Sequence, residues 1–391
     1  MSDRLNVVRD FMRRRRLDAL ILEEATQVQY LFEIYRSYGP DELRGMLLVQ
    51  PDGLTFVALP LTLQSLDPYL PPEVVRVEAD VPSYVRNLHG FDRDLARLVR
   101  KHGLRRIGAF TERCRPALPA KTDFKALDEN PLIEMADTRT EREIRLLERA
   151  VEITDAVFAR IVSELRPQWT ELRTLARIDE LLYEHGADLA HGNLVSFGEN
   201  TRQMHAVATN RPLRPGDWVM LDFGPRVGGM PGDLTRTFVF GKATAEQRSL
   251  WKAVLGAQKI ALELVRPGKQ GHAVSWAAFE HLQKAGYGKY YRHTLGHQLG
   301  MLRGQTRLAP KCTRRLRTNM ALTVEPGAYT PAGGVRIEDN VIVTPDGPRV
   351  LTRSPKFLEI PAGGARFAPR TSRAGENSPH RRRLDKPRRR R

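Results

Sequence analysis

The feature that most constrains the fold is a hairpin-like segment in which acidic residues stand inside apolar, β-branched runs. Residues 220–240 read MLDFGPRVGGMPGDLTRTFVF, with Asp222 in the first run and Asp233 in the second. A turn centred between Val227 and Gly228 would place the two aspartates directly opposite each other on paired strands. Like charges in that position destabilise a sheet, and burial increases the cost, so the pattern calls for a compensating positive charge.

A second segment repeats the pattern near the end of the folded part of the chain. Residues 320–344 read MALTVEPGAYTPAGGVRIEDNVIVT, and a turn at Pro331–Ala332 places Glu325 opposite Glu338. Four converging carboxylates would be compensated by two divalent cations, which lie roughly 3.5–4 Å apart in two-metal hydrolytic sites. The alternative is that these are ordinary solvated strand acids whose alignment across each turn arose by chance.

Histidine offers the remaining ligand type. The stretch RHTLGHQLG contains His293 and His297, spaced as in helical zinc sites, but Gly296 and Gly300 argue against a stable helix here. One imidazole among oxygen ligands favours manganese, with cobalt or zinc as alternatives. We interpret three further histidines as surface or hydrogen-bonded core residues, namely His191, His272 and His281.

The order of helix and strand signals predicts a mixed α/β (α+β) protein. Helical and strand patterns alternate through residues 1–135, which we expect to form an N-terminal α/β domain. Within residues 136–362 the order is helix, helix, hairpin, helix, helix, hairpin, which predicts a catalytic domain with two ααββ units. Residues 363–391 form a separate basic tail.

The net charge of +17 is concentrated at the C-terminus. The last 29 residues hold 11 Lys or Arg against Glu376 and Asp385, and such a segment is expected to be disordered. Nucleic acid is therefore expected as a partner only through this tail. The sequence contains no signal-peptide pattern and no 18-residue apolar run, so we expect no membrane association. Its two cysteines, Cys114 and Cys312, indicate a reducing compartment and a cytoplasmic protein.

These motifs resemble those of the pita-bread metallopeptidases, in the two-domain, creatinase-like branch that contains aminopeptidase P and Xaa-Pro dipeptidase. The similarity spans about residues 1–362 and is most specific in LDFGPRVGGMPGDLTRTF, HTLGHQLG, ALTVEPGAY and GVRIEDNVIVT. The resemblance implies two divalent metal ions, with manganese the first choice, and a homodimer. It implies metal ligands as follows: Asp222 for one ion, Asp233 and Glu338 bridging both, and His297 with Glu325 for the other.

The resemblance also implies candidate catalytic residues. His205 and His293 match positions that contact substrate, and Arg336 matches an arginine that orients the neighbouring bridging glutamate. One position departs from the family pattern, because Gly304 stands where the family usually has a further catalytic histidine. Arg303 or Gln305 is a possible replacement for that group.

The expected function is hydrolysis, by a dinuclear metal centre, of the peptide bond before proline in a dipeptide or short peptide. A non-peptide amide hydrolase resembling ectoine hydrolase, or a lyase on the same scaffold, is the first alternative, and Gly304 favours it. A non-enzymatic binding module is the second alternative, favoured by the basic tail and opposed by the ligand set. A metal-free, creatinase-type reaction is disfavoured because all five ligand positions are filled.

Overall fold

The computed structural model describes residues 3–35, 45–79, 89–302 and 304–362. The predictions made for the basic tail, residues 363–391, and for Arg303 fall outside these ranges. Among the described residues, no helix combines the length and the apolar composition that a bilayer span requires. Cys114 and Cys312 are both free thiols.

The N-terminal part is an α/β unit built on one six-stranded sheet. Its elements are α1 (Asp3–Arg15), β1 (Ala19–Leu22), α2 (Ala25–Leu31), β2 (Gly45–Val49), β3 (Leu54–Ala58), α3 (Pro60–Leu66), β4 (Val74–Glu78), α4 (His89–Lys101), β5 (Arg106–Ala109), β6 (Asp123–Ala126) and α5 (Pro131–Met135). The strand order is β4-β3-β2-β1-β5-β6, in which β2 is antiparallel to both neighbours and the other pairs are parallel.

The second part contains long helices and short sheets in the predicted order. Its helices are α6 (Glu141–Glu164), α7 (Glu171–Glu184), α8 (Ala245–Leu264) and α9 (Gly271–Lys284). Its strands are β7 (Asp188–Leu189), β8 (Leu194–Phe197), β9 (Trp218–Phe223), β10 (Pro225–Val227), β11 (Met230–Pro231), β12 (Leu234–Phe240), β13 (Ala321–Val324), β14 (Gly327–Thr330), β15 (Gly333–Arg336), β16 (Asp339–Thr344), β17 (Gly347–Val350) and β18 (Glu359–Ile360).

Local signals at the helix starts reveal the duplication of the ααββ unit. Both α6 and α8 begin with a capping box, in which a threonine N-cap and the residue three positions later satisfy each other's backbone N–H groups. These N-caps are Thr140 and Thr244. Both α7 and α9 are 14 residues long, and the residue before each forms an isolated antiparallel bridge, Thr170 to Pro212 and Gln270 to Arg315. The predicted duplication is therefore confirmed.

The first hairpin has a register that differs from the predicted one by two residues. Asp222 lies opposite Thr235, not Asp233, because the turn is formed by Gly228 and Gly229. Both glycines have positive φ, 54° and 78°, which favours this placement of the turn. A shift of two residues keeps each side chain on its original face, so the two aspartates are diagonal neighbours.

The second hairpin has the predicted register. Val324 pairs with Asp339, and Gly327 pairs with Arg336, so Glu325 and Glu338 lie opposite each other between these pairs. The turn falls at Pro331–Ala332 as predicted, since Thr330 pairs with Gly333.

The two parts of the chain share a hydrophobic core. Side chains of α1, β1 and β2 pack in one cluster with Leu147 and Val151 of α6 and with Met230 of the first hairpin. Leu299 and Leu302, which follow His297 closely in sequence, belong to the same cluster. The N-terminal unit is therefore packed directly against segments that position the acidic residues.

Candidate metal centre

The paired hairpins bring the four predicted carboxylates to one place. Asp222 lies within β9, Asp233 directly precedes β12, and Glu325 and Glu338 follow β13 and precede β16. The backbone N–H of Glu338 donates to the carbonyl of Thr235 (3.0 Å), which joins the second hairpin to the first. Asp222 and Asp233 are 8% exposed and Glu338 only 1%. Burial on this scale makes the unsolvated negative charge costly without cations.

Two groups of side chains are arranged so that each could hold a metal ion. His191, Asp222 and Asp233 each offer one ligand atom, and these atoms lie within 4.8 Å of one another. Asp233, His297 and Glu338 form a second group that meets the same limit. Asp233 belongs to both groups, so its carboxylate lies between two candidate ion positions.

Glu325 lies next to this cluster, close to Nε2 of His297. Its Oε1 lies 3.5 Å from His297 Nε2, and Asp233 Oδ2 lies at the same distance from that nitrogen. Thr323 orients both groups, because its hydroxyl donates to Glu325 Oε1 (3.0 Å) and accepts from the backbone N–H of His297 (3.0 Å). The segment around His297 is not helical, as the glycines predicted, and bridges to neighbouring chain at Gly296 and Gln298.

His191 is a member of the centre that the sequence analysis missed. It lies in the loop between β7 and β8, and its Nε2 is 3.0 Å from Asp233 Oδ1. His191 is therefore hydrogen-bonded, as the sequence interpretation allowed, but its partner is one of the predicted metal ligands. The two strands that fix the loop are only 2 and 4 residues long, so no sequence periodicity indicates which way it faces.

Arg336 connects the carboxylates of the two hairpins. Its Nη2 donates to Asp222 Oδ2, and its Nε donates to the Thr235 hydroxyl (3.0 Å). That hydroxyl in turn donates to Glu338 Oε2 (2.7 Å), so the guanidinium fixes the direction of the Thr235 hydrogen bond. Arg336 is 2% exposed and provides a fixed positive charge inside the cluster.

The titration behaviour reflects an excess of buried negative charge. Burial, reinforced by the charge of Asp233, raises the pKa of Glu325 to about 8. Burial and the neighbouring Asp233 and Glu325 raise the pKa of Glu338 well above its usual range. Burial would raise the pKa of Asp233 as well, but the facing His191 and His297 outweigh it and the pKa is lowered. Glu338 Oε1 is buried and has no hydrogen-bond partner among the described residues.

His293 lies beside the carboxylate cluster and is neutral at pH 7. Burial and the charge of Arg336 lower its pKa to about 4. Its Nδ1 donates to the carbonyl of Thr294 (2.8 Å), and its Nε2 accepts from the hydroxyl of Tyr329 (3.0 Å). That hydroxyl accepts from Arg336 Nη1 (2.6 Å), so the ring is linked to Asp222 through three hydrogen bonds, by way of Tyr329 and Arg336. His205 is exposed, and its charge also contributes to lowering the pKa of His293.

Gly304 does not face open space. A Cβ atom added there would lie 2.3 Å from both Asp137 Oδ1 and Gln298 Oε1. Both side chains are buried and hydrogen-bonded, because Gln298 Nε2 donates to Asp137 Oδ1 (2.7 Å) and Gln298 Oε1 accepts from Arg139 (2.9 Å). A side chain at position 304 would therefore have to displace Asp137 or Gln298. The side chain of Gln305 accepts from Arg314, which occupies its oxygen.

Comparison with known proteins agrees with this geometry. Residues 145–345, more than half of the chain, match the model of metallopeptidase family M24. The Xaa-Pro dipeptidase of Pyrococcus horikoshii is 27% identical over 368 residues, which cover 92% of this chain and 99% of that protein. The Xaa-Pro dipeptidase of Pyrococcus furiosus is 32% identical over 239 residues, covering 60% of this chain and 68% of that one.

Solved structures extend the likeness to both parts of the chain. An Xaa-Pro dipeptidase from Bacillus anthracis superposes with a TM-score of 0.80 at 26% identity, covering 92% of this chain and 99% of that one. The prolidase of Pyrococcus horikoshii gives a TM-score of 0.79 at 25% identity, covering 91% and 100%. The chain therefore belongs to metallopeptidase family M24, and it is a hydrolase with the two-domain pita-bread architecture.

Proposed function

We propose that this protein is a dinuclear metal-dependent hydrolase that cleaves the peptide bond preceding proline in a dipeptide or short peptide. The observation that carries the proposal is the position of Asp233, whose carboxylate is shared by two histidine-containing groups of ligand atoms. A carboxylate in that position can bridge two ions, as two-metal hydrolytic sites require. The Xaa-Pro dipeptidases among its relatives support the substrate class.

The chemistry of the donor set fits a pair of divalent cations. Glu338 Oε1 is buried and accepts no hydrogen bond from the part of the chain that the structure describes, and the raised pKa values of Glu325 and Glu338 reflect charge that a cation would neutralise. We assign Asp222 to one ion, Asp233 and Glu338 to both, and His297 with Glu325 to the other. When bound, such ions supply an activated water and polarise the scissile carbonyl.

The other proposed roles belong to groups around the carboxylates. Arg336 holds Asp222 and, through Thr235, Oε2 of Glu338, so it keeps both ligands in their binding orientation. We propose that His205 and the neutral His293 contact the substrate, with Tyr329 holding the His293 ring. Glu325 or Glu338 relays the proton from the attacking water to the leaving nitrogen.

Gly304 favours a second candidate on the same scaffold. The imidazole usual in the family is absent there, and the position is filled by Asp137 and Gln298. A positioned acid, base or hydrogen-bond donor typically contributes about 10²–10⁴-fold to rate. A non-peptide amide hydrolase or a lyase, whose reaction does not use that group, is therefore the alternative.

The decisive experiment is a substrate panel with the full chain in the presence of Mn²⁺. It comprises Xaa-Pro dipeptides, Xaa-Pro-Xaa peptides, matched dipeptides in which alanine replaces proline, and ectoine. We expect turnover of the proline substrates and little turnover of the alanine dipeptides. Turnover confined to ectoine or another non-peptide amide would overturn the peptidase assignment and leave the metal centre in place.

Metal analysis of the same preparation tests the dinuclear part separately. We expect about two divalent ions per chain, because four carboxylates and an imidazole nitrogen surround two candidate ion positions. Asp233→Ala removes the group shared by both positions and should lower the stoichiometry at both. Wild-type metal content in that variant would contradict the bridging role.

We propose manganese as the native metal, since oxygen donors dominate the assigned ligands. We further propose a homodimer, a cytoplasmic location in keeping with the two free thiols, and a division into residues 1–135 and 136–362. Light scattering on the purified protein tests the oligomeric state, and limited proteolysis tests the division.

A further inference from the structure

His191 occupies a position at the centre that the five assigned ligands do not include. Its Nε2 lies 3.0 Å from Asp233 Oδ1, while His297 Nε2 lies 3.5 Å from Asp233 Oδ2. The two imidazoles therefore face the two oxygens of one carboxylate. They approach from different parts of the chain, His191 from the loop before β8 and His297 from the segment that bridges to β13.

The hydrogen bonds of each ring leave its Nε2 facing the centre. His191 Nδ1 lies 3.1 Å from the carbonyl oxygen of Gly192, and His297 Nδ1 lies 3.1 Å from the carbonyl oxygen of Gln298. A carbonyl oxygen only accepts, so each Nδ1 carries a proton. The His191 Nε2 proton, which Asp233 accepts in the metal-free chain, has to leave before that nitrogen can bind a cation. In metal sites this second hydrogen bond fixes the tautomer and orientation of a ligating histidine. His191 has the same arrangement as the assigned ligand His297.

The duplicated units place the two histidines in corresponding positions. In the first unit, β8 follows His191 and pairs with β9, with Leu194 opposite Asp222. In the second unit, the residue after His297 forms a bridge to Leu322 of β13, the strand that leads to Glu325. Each unit thus contributes two carboxylates and, beside the strand that carries the first of them, one histidine.

We propose that His191 Nε2 is a metal ligand, which with Asp222 and Asp233 completes the site for one divalent ion. The three ligand atoms lie within 4.8 Å of one another, as close as those of the group containing His297. Each of the two ions then has one imidazole nitrogen among its ligands, a donor that suits Co²⁺ and Zn²⁺ better than carboxylate alone. The inference rests on the metal centre of the proposed function and is independent of the substrate.

The competing role for His191 is to position Asp233 through a hydrogen bond. Two substitutions separate the roles, because His191→Gln retains a side-chain N–H donor but lacks the imidazole, whereas His191→Ala removes both. His185→Ala is the matched control, since His185 is an exposed histidine at the end of α7 in the same region of the chain. His297→Gln serves as the reference for the loss of an assigned ligand.

The experiment measures metal binding directly, with no assay of activity. The full-length variants are stripped with chelator, titrated with Co²⁺ or Mn²⁺, and followed by calorimetry and by the visible absorption of bound Co²⁺. We expect His191→Ala and His191→Gln to weaken one of two Co²⁺ sites by at least about 100-fold, the upper range for losing an outer hydrogen-bond partner. The visible spectra of Co²⁺ bound to these variants should change, and the loss of affinity should be smaller for Mn²⁺ than for Co²⁺. His185→Ala should match wild type.

A measurement on the unmodified protein complements the variants. In Zn²⁺-loaded protein with ¹⁵N-labelled histidine, ring signals identified through the variants should show His191 with a metal-bound Nε2 and a protonated Nδ1. A ring protonated on both nitrogens would overturn the proposal. Wild-type Co²⁺ affinity and spectrum in His191→Gln would do so too, leaving the rest of the metal centre intact. Absence of divalent ion binding in wild type would instead overturn the proposed function itself.

Discussion

Gln298 fills the space into which a side chain at Gly304 would project, with its Oε1 2.3 Å from the position of a Cβ there. Gln298 is held in that place from two directions, by Arg139 and by Asp137. The candidate ligand His297 directly precedes Gln298, so a change in the packing of Gln298 would also affect the metal centre.

Gly304→His is therefore expected to destabilise the protein and not to improve proline-directed hydrolysis. Inserting atoms into a filled, buried site typically costs about 1–3 kcal/mol, and the imidazole cannot reach the centre without displacing Asp137 or Gln298. Thermal unfolding and Xaa-Pro hydrolysis measure the two effects. The double variant Gln298→Ala/Gly304→His should recover part of the lost stability. A single variant with wild-type unfolding temperature and higher activity would contradict the structure.

Glu338→Gln is expected to change stability in opposite directions with and without metal. In chelated protein the amide removes a buried carboxyl that faces Asp233 and Glu325, and it can still accept from Thr235. The unfolding temperature should therefore rise without metal. In metal-loaded protein the weaker ligand should reduce the stabilisation that added Mn²⁺ gives. The exposed Glu73→Gln is the control, and equal metal stabilisation in both variants would exclude Glu338 as a ligand.

The metal-free protein is expected to lose stability as the pH rises from about 7 to about 9. The pKa of Glu325 is raised from 4.5 to about 8, so between these values the folded chain holds a proton that the unfolded chain has lost, and this contribution to stability falls until the pH passes about 8. Burial alone would lower the pKa of His191, but the facing Asp233 raises it to about 10, so its stabilisation also declines as the pH rises. The lowered pKa of His293 affects stability only at lower pH, where the unfolded chain binds a proton on this ring more readily than the folded chain does.

Metal loading should reduce or reverse this pH dependence, because cations neutralise the same carboxylates and bind better to deprotonated ligands. Thermal unfolding at several pH values, with chelator or with Mn²⁺, provides the comparison. Parallel pH profiles under the two conditions would mean that these groups do not bind the metal.

Arg336→Lys is expected to weaken both metal binding and catalysis despite the retained charge. The guanidinium donates at once to Asp222, Thr235, Tyr329 and the carbonyl of Met204, which a single ammonium cannot reproduce. Loss of such outer contacts typically lowers metal affinity or activity by about 10–100-fold. Calorimetric titration with Mn²⁺ measures the affinity. An unchanged affinity and kcat would assign Arg336 to charge compensation only.

The sequence by itself determined the acidic pairs, the duplicated helix–hairpin order and the family. These follow from local patterns: apolar runs interrupted by acids, capping residues, and turns at glycine or proline. Pro331–Ala332 set the second register correctly, because a two-residue turn there leaves strands of matching pattern on both sides. In the first hairpin the adjacent glycines allowed two turns whose strand registers differ by two residues, and the positive φ of both Gly228 and Gly229 identifies the one that forms.

Tertiary structure alone decided the position of His191 beside Asp233 and the environment of Gly304. His191 meets Asp233 across 42 residues of chain, and Gly304 meets Asp137, which is far from it in sequence. Neither contact has a sequence period, since each depends on where short strands and loops are placed by packing of the core. The identity of a side chain determines what it can bind, whereas the fold determines which side chains come close together. Once carboxylates are buried side by side, their mutual repulsion shifts their pKa values and makes bound cations favourable.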